Sequence, residues 1–490
     1  MIISIKNFGP IETAEFDLHP LTVFIGDNRQ GKTMALVAST AMLGNLGLNI
    51  YIEHYLTQPD AGKKPELEQL YTDLISSGHA KINLAEFVDK YAQNYYTALG
   101  VLTPANLEKI LGYGLPGVKP EFKYTLSEKD REMFHTGALK VGLSLTNPGV
   151  SIKIIKEKTD PILHIYTESE EKITLPKPAV MQTLLSLTVG TIQRMFLPNV
   201  YHFPSERAGF TQLWNQIQKL QIQNTPSAIP KRDEPGDTIP IPYSLAEYLK
   251  LLQTSLLFGS KTRRDEFLNS RPEHDKFREL AQIFDTISAD TISLSTTEPV
   301  FPRKIQIKVG DTTLPVPAAS SGVKGLIGLS LYLQYNAQAG DLLVIDEPEQ
   351  NLHPNQQLAI TEFIAMLVNS GIRVAITTHS TFVVEHLQNL ILAQDLEEKA
   401  KIVEDLVLKN EMALLDKNDA GVYLFEKGHA EDILWDDGQI NWQTFCDAKS
   451  IIDRIDLKIY RLRKDEDDNS KQSPQSCGNV AESESAYQRK

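Results

Sequence analysis

Three short apolar runs with little polar alternation stand out in the hydropathy pattern of the chain. They are Leu21–Ile25, Leu342–Ile345 and Val374–Ile376, and a polar cluster follows each of them. A continuous run of this length is typical of a parallel strand that is buried on both faces of a sheet. Because ligands in open α/β sheets bind beyond the carboxyl ends of the strands, the three polar clusters are the candidate sites.

The rest of the pattern alternates between extended and helical segments and predicts an α/β protein with insertions. Residues 1–25 predict a β-hairpin and a third strand, and much of 34–115 predicts helices. The predicted division is 1–209 for the N-terminal half of a core with a helical insertion near 45–115, 210–290 for a second helical insertion, 291–392 for the C-terminal half of the core, 393–463 for a small α/β appendage and 464–490 for a disordered tail.

The cluster after the first run fits the phosphate-binding pattern G-x-x-x-x-G-K-S/T. It reads Gly26-Asp27-Asn28-Arg29-Gln30-Gly31-Lys32-Thr33. Gly26 and Gly31 let the backbone turn and approach a phosphate closely, and the amide groups of the loop and of the following helix then face the anion. In such loops the lysine, here Lys32, reaches the β- and γ-phosphates, and the Thr33 hydroxyl is a ligand of Mg²⁺.

The cluster after the second run supplies two carboxylates. Asp346 and Glu347 follow four apolar residues, which is the Walker B arrangement. This position predicts Asp346 beside Mg²⁺ and Glu347 beside the attacking water as a general base. The third run ends in Thr-Thr-His-Ser, and the order of strand, helix and strand places His379 at the same edge.

A further turn of small polar residues, Ser320-Ser321-Gly322, precedes a strongly apolar helix. Such a turn at a helix start is a second geometry that binds anions, although the same residues also serve simply as helix caps.

Composition changes the picture only for partners and compartment. The 490 residues carry a net charge of −14, which argues against a broad nucleic-acid surface and leaves DNA contact to a local patch, a dimer groove or a partner. Two cysteines exclude a disulfide framework. No apolar run approaches the ~18 residues of a membrane span, and no secretory signal is visible. These features predict a cytoplasmic protein without a membrane partner.

Five motifs in this order resemble the ATP-binding-cassette ATPases of the SMC, RecF and OLD type. Besides the phosphate loop, the Ser-Ser-Gly turn and Asp346-Glu347, the string D-E-P-x-x-x-L-H-P and His379 match that family, and Asn28 stands where its loop commonly has asparagine. The resemblance implies an α/β P-loop ATPase core with a mixed sheet, flanking helices and an antiparallel β lobe. It implies ATP and Mg²⁺ as cofactors, and His379 as the residue that senses the γ-phosphate.

The same resemblance implies a homodimer or a higher homo-oligomer, because the signature turn of one subunit closes the phosphate loop of the other. Ser320, Ser321 and Gly322 would bind nucleotide in this way. The stretch P-x-E-R at 204–207 resembles one found in many OLD-like ATPases. In this chain, Arg207 is predicted either to contact a phosphate or a partner, or to form part of a surface ion pair.

Three biological roles remain open on the sequence. The first is an OLD-like defence ATPase of the PARIS or Septu type, a nucleotide-gated sensor or scaffold for a separate effector such as a Toprim or HNH nuclease. The second is a RecF/SMC-like DNA-repair ATPase. The third is the energising subunit of a transporter, which the missing L-S-G-G-Q and the large insertions disfavour.

Overall fold

The structure is a computed structural model that describes residues 1–57, 65–128, 130–131, 141–147, 150–156, 162–167, 176–197, 199–214, 241–257, 274–288, 291–294, 305–441, 451 and 454–462. Its contacts divide the chain into two units, Met1–Asn441 and Trp442–Lys490. In the second unit, residues 454–462 are helical. The predicted tail at 464–490 lies outside the described residues.

Strands and helices of the first unit follow one another from the first residues of the chain to residue 432. The strands are β1 (Ile2–Phe8), β2 (Ile11–Asp17), β3 (Leu21–Ile25), β4 (His79–Asn83), β5 (Glu121–Thr125), β6 (Val141–Asn147), β7 (Val150–Lys156), β8 (Ile162–Thr167), β9 (Val200–Phe203), β10 (Thr291–Leu294), β11 (Ile305–Val309), β12 (Thr312–Pro315), β13 (Leu342–Asp346), β14 (Arg373–Thr377), β15 (Ala420–Glu426) and β16 (His429–Asp432). The helices are α1 (Lys32–Ala41), α2 (Asn45–Thr57), α3 (Pro65–Ser77), α4 (Leu84–Leu102), α5 (Leu107–Leu111), α6 (Lys177–Phe196), α7 (Tyr243–Leu257), α8 (His274–Ser288), α9 (Ser321–Tyr335), α10 (Pro354–Asn369), α11 (Thr381–Gln394) and α12 (Lys399–Asp405).

Within the described residues, a mixed sheet of nine strands has the order β5-β1-β2-β16-β15-β3-β14-β13-β9. The strands from β15 to β9 run parallel to one another. The carboxyl ends of β3, β13 and β14 therefore meet at one edge, and the three polar clusters predicted from the hydropathy pattern lie there. All five residues of β3 and of β13 are buried, as expected for strands covered on both faces.

Two smaller antiparallel sheets accompany the large one, with the orders β10-β11-β12 and β4-β8-β7-β6. Helices α2 to α5 lie between β3 and β5 in the chain, and α7 and α8 lie between β9 and β10. This is the fold class predicted from the sequence, an α/β core with a mixed sheet, antiparallel β structure and helical insertions.

Strand β15 lies in the central sheet, whereas the sequence predicted that residues 393–463 form a small α/β appendage. The structure pairs β15 with β3 along Ala420–Leu424, so it extends the central sheet directly beside the strand that leads into the phosphate loop. The short apolar run Val422–Phe425 shows that a buried strand is present, but its partner lies about 400 residues earlier in the chain. Hydropathy carries no information on that pairing.

A buried carboxylate ties the segment before β15 to the core. Glu362 of α10 is fully buried and accepts hydrogen bonds from Val407 N at 2.9 Å and Leu408 N at 2.7 Å. His386 Nε2 of α11 lies 2.9 Å from the same carboxylate.

Among the described residues, no single helix has the length and apolar character of a membrane span, although the bent pair formed by α1 and Asn45–Tyr55 meets that test on length and composition.

Candidate nucleotide-binding site

The phosphate loop connects β3 to α1 through backbone conformations that favour glycine. Gly26 has φ 133° and Gly31, the N-cap of α1, has φ 88°. A Cβ on Gly26 would lie 2.3 Å from the carbonyl oxygen of Phe425, so the close approach of β15 also requires glycine there. No side chain caps the start of α1. The first amide groups of this helix therefore remain available to an anion. Asn28, in the middle of the loop, is exposed.

Lys32 lies across its own loop. Its Nζ donates to the carbonyl oxygens of Gly26 and Asp27, at 2.8 Å each, and the residue is 4% exposed. Burial lowers the pKa of the Lys32 ammonium to about 8, while the nearby Asp346 and Glu347 act in the opposite direction. An anion placed in the loop would oppose that effect of burial, because a negative charge stabilises the ammonium form.

Thr33 and Asp346 meet although 313 residues separate them. The Thr33 hydroxyl donates to Asp346 Oδ1 at 2.8 Å, and the Thr377 hydroxyl donates to the same oxygen. The neighbouring strands β13 and β14 bring Asp346 and Thr377 side by side. The Thr33 hydroxyl and the Asp346 carboxylate therefore lie next to each other at the end of the phosphate loop. These are the two residues predicted to hold Mg²⁺.

Glu347 begins a strained turn directly after Asp346. Its φ is 48°, and its amide donates to the carbonyl oxygen of Thr377 at 3.1 Å. Burial raises the pKa of the Glu347 carboxyl, and the charges of Asp346 and Glu349 raise it further. A carboxylate with a raised pKa is a better proton acceptor near neutral pH than an ordinary glutamate.

Arg207 holds the backbone of this turn through hydrogen bonds. The residue is 3% exposed, and its guanidinium donates to the carbonyl oxygens of Asp346 at 2.7 Å and Glu347 at 2.8 Å. Three further donations reach Gly325 O and Pro204 O, at 3.1 Å each, and Pro348 O at 3.5 Å. The predicted surface ion pair of Arg207 is therefore wrong, whereas a phosphate or partner contact stays a prediction. A buried guanidinium that is fully engaged with backbone carbonyls positions the two acidic residues.

His379 lies beside Glu347, and its backbone is held by Glu349. Its Nε2 lies 3.8 Å from Glu347 Oε1. Its amide donates at 3.0 Å to Glu349 Oε1, which also accepts from the Thr378 hydroxyl at 2.7 Å. Burial and the charge of Lys32 lower the pKa of the His379 imidazole, so its neutral form is favoured.

The Ser-Ser-Gly turn begins the helix α9. Ser320 is the N-cap of α9 and its side chain accepts from Val323 N at 3.2 Å, while Ser320 and Ser321 are both exposed. A Cβ on Gly322 would lie 2.8 Å from the carbonyl oxygen of Asn351, so the turn packs against the loop that follows Glu347. Within the described part of the chain, no hydrogen bond or ion pair joins this turn to the phosphate loop.

The sequence motifs do not single out three residues of this site, in whole or in part. Thr377 and Glu349 were not singled out, and the position of Arg207 beneath the Walker B turn was not foreseen. A signal was present for Glu349, since it is a third acid within four residues of Asp346. Thr377 sits at the end of a buried strand beside the histidine, which also marks it as a residue of that edge.

The donor set fits a nucleotide with Mg²⁺. Mg²⁺ is usually held by one or two protein oxygens together with phosphate oxygens and water, and Thr33 with Asp346 offers such a pair. Among the described residues, no group of three or more histidine, cysteine and acidic side chains is arranged to hold a metal ion.

Comparison with known proteins places this site in context. The family described as AAA ATPase domain matches residues 1–384. No curated protein matches the chain.

Solved structures of SMC head domains resemble it distantly. The SMC head bound to the C-winged helix domain of ScpA has 12% identity and a TM-score of 0.35, covering 88% of this chain and 96% of its own. The head domain with an extended coiled coil from Pyrococcus furiosus, bound to the C-terminal domain of ScpA, has 12% identity and a TM-score of 0.33, covering 93% and 98%. The head domain from Thermotoga maritima has 10% identity and a TM-score of 0.28, covering 88% and 97%. At such TM-scores, nothing about the activity of this chain follows from the likeness.

Proposed function

Because this chain belongs to the AAA ATPase domain family, we propose that it binds ATP with Mg²⁺ and hydrolyses the nucleotide to ADP and phosphate. The observation that carries the proposal is the meeting of Thr33 and Asp346 at 2.8 Å beneath a phosphate loop that holds Lys32. A phosphate loop, a magnesium-type oxygen pair and an adjacent carboxylate are the parts that phosphoryl transfer to water needs.

Each residue has a distinct part in the proposed reaction. Lys32 and the amide groups at the start of α1 bind the phosphate oxygens, with Gly26, Asn28 and Gly31 shaping the loop around them. Thr33 and Asp346 hold Mg²⁺, which neutralises the charge of the phosphates. Glu347 accepts a proton from the attacking water, and the contacts that Arg207 and Thr377 make to its backbone fix its position. His379, in its neutral form, lies close enough to Glu347 to orient the water and the γ-phosphate.

We propose further that two chains complete the site. Ser320 and Ser321 are exposed, and within the described residues no hydrogen bond or ion pair joins them to the phosphate loop of their own chain. A head-to-tail pair would bring the Ser-Ser-Gly turn of one chain to the γ-phosphate held by the other, as the family resemblance implies. Binding of ATP would then favour the paired state, and hydrolysis would release it.

Two variants test the ATPase proposal. Lys32→Ala is expected to abolish binding of a fluorescent ATP analogue, and Glu347→Gln is expected to keep binding but to lose at least 100-fold in ATP turnover. Glu397, an exposed glutamate outside the site, provides the matched control Glu397→Gln, which should turn over ATP as the unmodified protein does. Wild-type turnover by Glu347→Gln would overturn the assignment of the base.

For the biological role, we propose a nucleotide-gated sensor or scaffold for a separately encoded nuclease-type effector in anti-phage defence. The support is the order of the motifs and the D-E-P-x-x-x-L-H-P string, which resemble the OLD-like defence ATPases. A role in DNA repair is the alternative, and the net charge of −14 disfavours it because DNA binding depends on phosphate contacts.

ATP turnover measured with and without duplex DNA separates the two roles. The defence reading expects less than a twofold change on addition of duplex DNA of any sequence. Stimulation of tenfold or more by duplexes of unrelated sequence would favour the repair reading and would leave the ATPase assignment intact.

A further inference from the structure

Apolar side chains are exposed where α11 ends. Leu392 of this helix is 36% exposed, and Leu396, which follows the helix end, is 49% exposed. The Leu396 amide donates to the carbonyl oxygen of Ala393 at 3.3 Å, so this residue is held against the last turn of the helix. Leu392 lies roughly 17 Å along the helix axis from Thr381, where α11 begins next to the nucleotide site. These leucines therefore lie outside that site.

The turn after β16 adds an indole beside the two leucines. The Gly438 amide donates to the carbonyl oxygen of Trp435 at 2.9 Å, and a Cβ on Gly438 would lie 3.3 Å from Leu392 Cδ2. The Ile440 amide also donates to Gln388 Oε1 of α11 at 2.8 Å. These contacts hold the turn against α11 and leave the Trp435 side chain 51% exposed. We call Leu392, Leu396 and Trp435 the α11 surface.

Carboxylates surround the α11 surface. Its exposed neighbours along the chain include four acidic residues, Asp395, Glu397, Asp436 and Asp437. None of these four carboxylates forms an ion pair with another residue in the described part of the chain. The stretch 381–441 as a whole contains 14 acidic and 5 basic residues. Apolar anchors within such an acidic rim repel nucleic acids and anionic lipids, and attract a cationic partner.

A second copy of the chain fits the α11 surface poorly. In a symmetric contact the same patch faces itself, so the four carboxylates would meet their own copies. The net charge of −14 also makes a second copy an acidic partner on average. Addition of a strand needs an exposed sheet edge, whereas a helix end and a turn form this surface. The recognition mode that remains is a helix whose apolar face packs on the exposed anchors.

We propose that the α11 surface binds a partner protein through a basic amphipathic helix. The apolar face of that helix would pack on Leu392, Leu396 and Trp435, and its lysine and arginine side chains would meet the surrounding carboxylates. Tryptophan and arginine are among the residues that dominate the binding energy of protein interfaces. This interaction goes beyond ATP hydrolysis and does not depend on it.

The probe is a fluorescein-labelled synthetic peptide of about 18 residues, with leucine on one helical face and lysine or arginine on the other. Fluorescence anisotropy with the full chain should give a dissociation constant on the order of 1–10 µM at low salt. A peptide with the same leucines but with glutamate in place of each basic residue should bind about 100-fold more weakly. Equal binding of the two peptides, or no binding of the basic one, would overturn the proposal.

Variants locate the binding. Leu396→Ala should weaken peptide binding about fivefold, and Trp435→Ala about tenfold or more. The matched control is Leu213→Ala, because Leu213 is 48% exposed and lies in the helical residues 207–214, and its affinity should stay within about twofold of the unmodified protein. All three side chains are exposed, so the midpoints of urea denaturation should not change. Equal affinities of the three variants would show that the peptide binds elsewhere on the acidic chain and would overturn the proposal.

Two further measurements decide between the other occupants. Sedimentation of the chain without nucleotide should show no dimer that the peptide dissociates. Such a dimer, if Trp435→Ala also removed it, would make a second copy the occupant and overturn the proposal. A saturating non-hydrolysable ATP analogue with Mg²⁺ should leave the dissociation constant of the peptide within about threefold. Displacement of the peptide by nucleotide would also overturn the proposal, and none of these outcomes affects the assignment of ATP hydrolysis.

Discussion

At the scale of single residues, the position of Arg207 determines how the two acidic residues are presented. Its guanidinium donates to the backbone oxygens of Asp346 and Glu347 and is itself almost fully buried. Burial lowers the pKa of the Arg207 guanidinium, and the carboxylates nearby counteract that effect. The side chain therefore holds the turn at Glu347, which has positive φ, in place through charge-assisted hydrogen bonds.

Replacing Arg207 by Met should reduce the free energy of unfolding by about 3 kcal/mol, because several buried carbonyl oxygens lose their donors. Urea denaturation followed by circular dichroism measures the change. Arg278→Met, the same substitution at an exposed position of α8, should stay within about 0.5 kcal/mol of the unmodified protein. An Arg207→Met protein of unchanged stability but weakened ATP affinity would favour the interpretation of Arg207 as a phosphate contact.

Lys32 gives the site a dependence on pH. Burial lowers the pKa of its ammonium in the free protein to about 8, and bound phosphates favour the charged form. ATP binding then takes up a proton above pH 8, so affinity should fall as the pH rises through that value, by about tenfold between pH 7.5 and pH 9.

Titration of a non-hydrolysable ATP analogue at the two pH values measures this effect. Lys32→Arg serves as the control, since a guanidinium remains charged throughout the range and its affinity should change much less. An affinity of the unmodified protein that is equal at both pH values would contradict the assignment of Lys32 to the phosphates.

At the scale of elements, β15 is the strand that encloses the phosphate loop. It pairs with β3, and the carbonyl oxygen of its Phe425 approaches Gly26 so closely that no side chain fits. A strand from the end of the first unit thus forms one wall of a loop near the beginning of the chain. The shape of the loop depends on that pairing as much as on its own glycines.

Gly26→Ala should therefore lower the free energy of unfolding by about 2–4 kcal/mol, because the new methyl group meets a backbone atom and the residue has positive φ. The midpoint of urea denaturation reports the effect. Gly209→Ala makes the same change within the helical residues 207–214, where nothing lies within 4 Å of the new atom, and should stabilise the protein by about 0.5–1 kcal/mol. Equal midpoints for the two variants would show that β15 does not constrain the loop.

At the scale of the whole molecule, the Ser-Ser-Gly turn and the phosphate loop of one chain share no hydrogen bond or ion pair among the described residues. Ser320 and Ser321 are exposed at the start of α9, where Gly322 packs against Asn351, whereas Lys32 and Asp346 lie at the carboxyl ends of β3 and β13. A site divided in this way would need a second copy of the chain to complete it, as proposed above.

Mixing two inactive variants tests this arrangement. Ser321→Arg should fold and bind ATP but lose turnover, and Lys32→Ala should lose binding. In an equal mixture, half of randomly formed dimers contain one intact site, so turnover should recover to about one quarter of the wild-type value. Each variant alone is the control, and a mixture as inactive as its components would contradict a site shared between chains.

The sequence by itself determined the parts of this protein whose chemistry is local. The glycines of the phosphate loop, the carboxylates after β13 and the histidine after β14 are each fixed by a buried strand and the few residues that follow it. The family match and the mixed sheet confirm the predicted fold class, whereas the roles of the individual site residues stay predictions.

Only the tertiary structure decided the contacts that join distant segments. The pairing of β15 with β3, the donation from Arg207 to the turn at Asp346 and the hold of Glu349 on His379 each depend on the path of the chain between them. Hydropathy indicates whether a residue is buried, because the hydrophobic effect depends on the apolar area removed from water and has no direction. It does not report which partner is buried with it, since hydrogen bonds are directional and form only where the folded backbone places both groups.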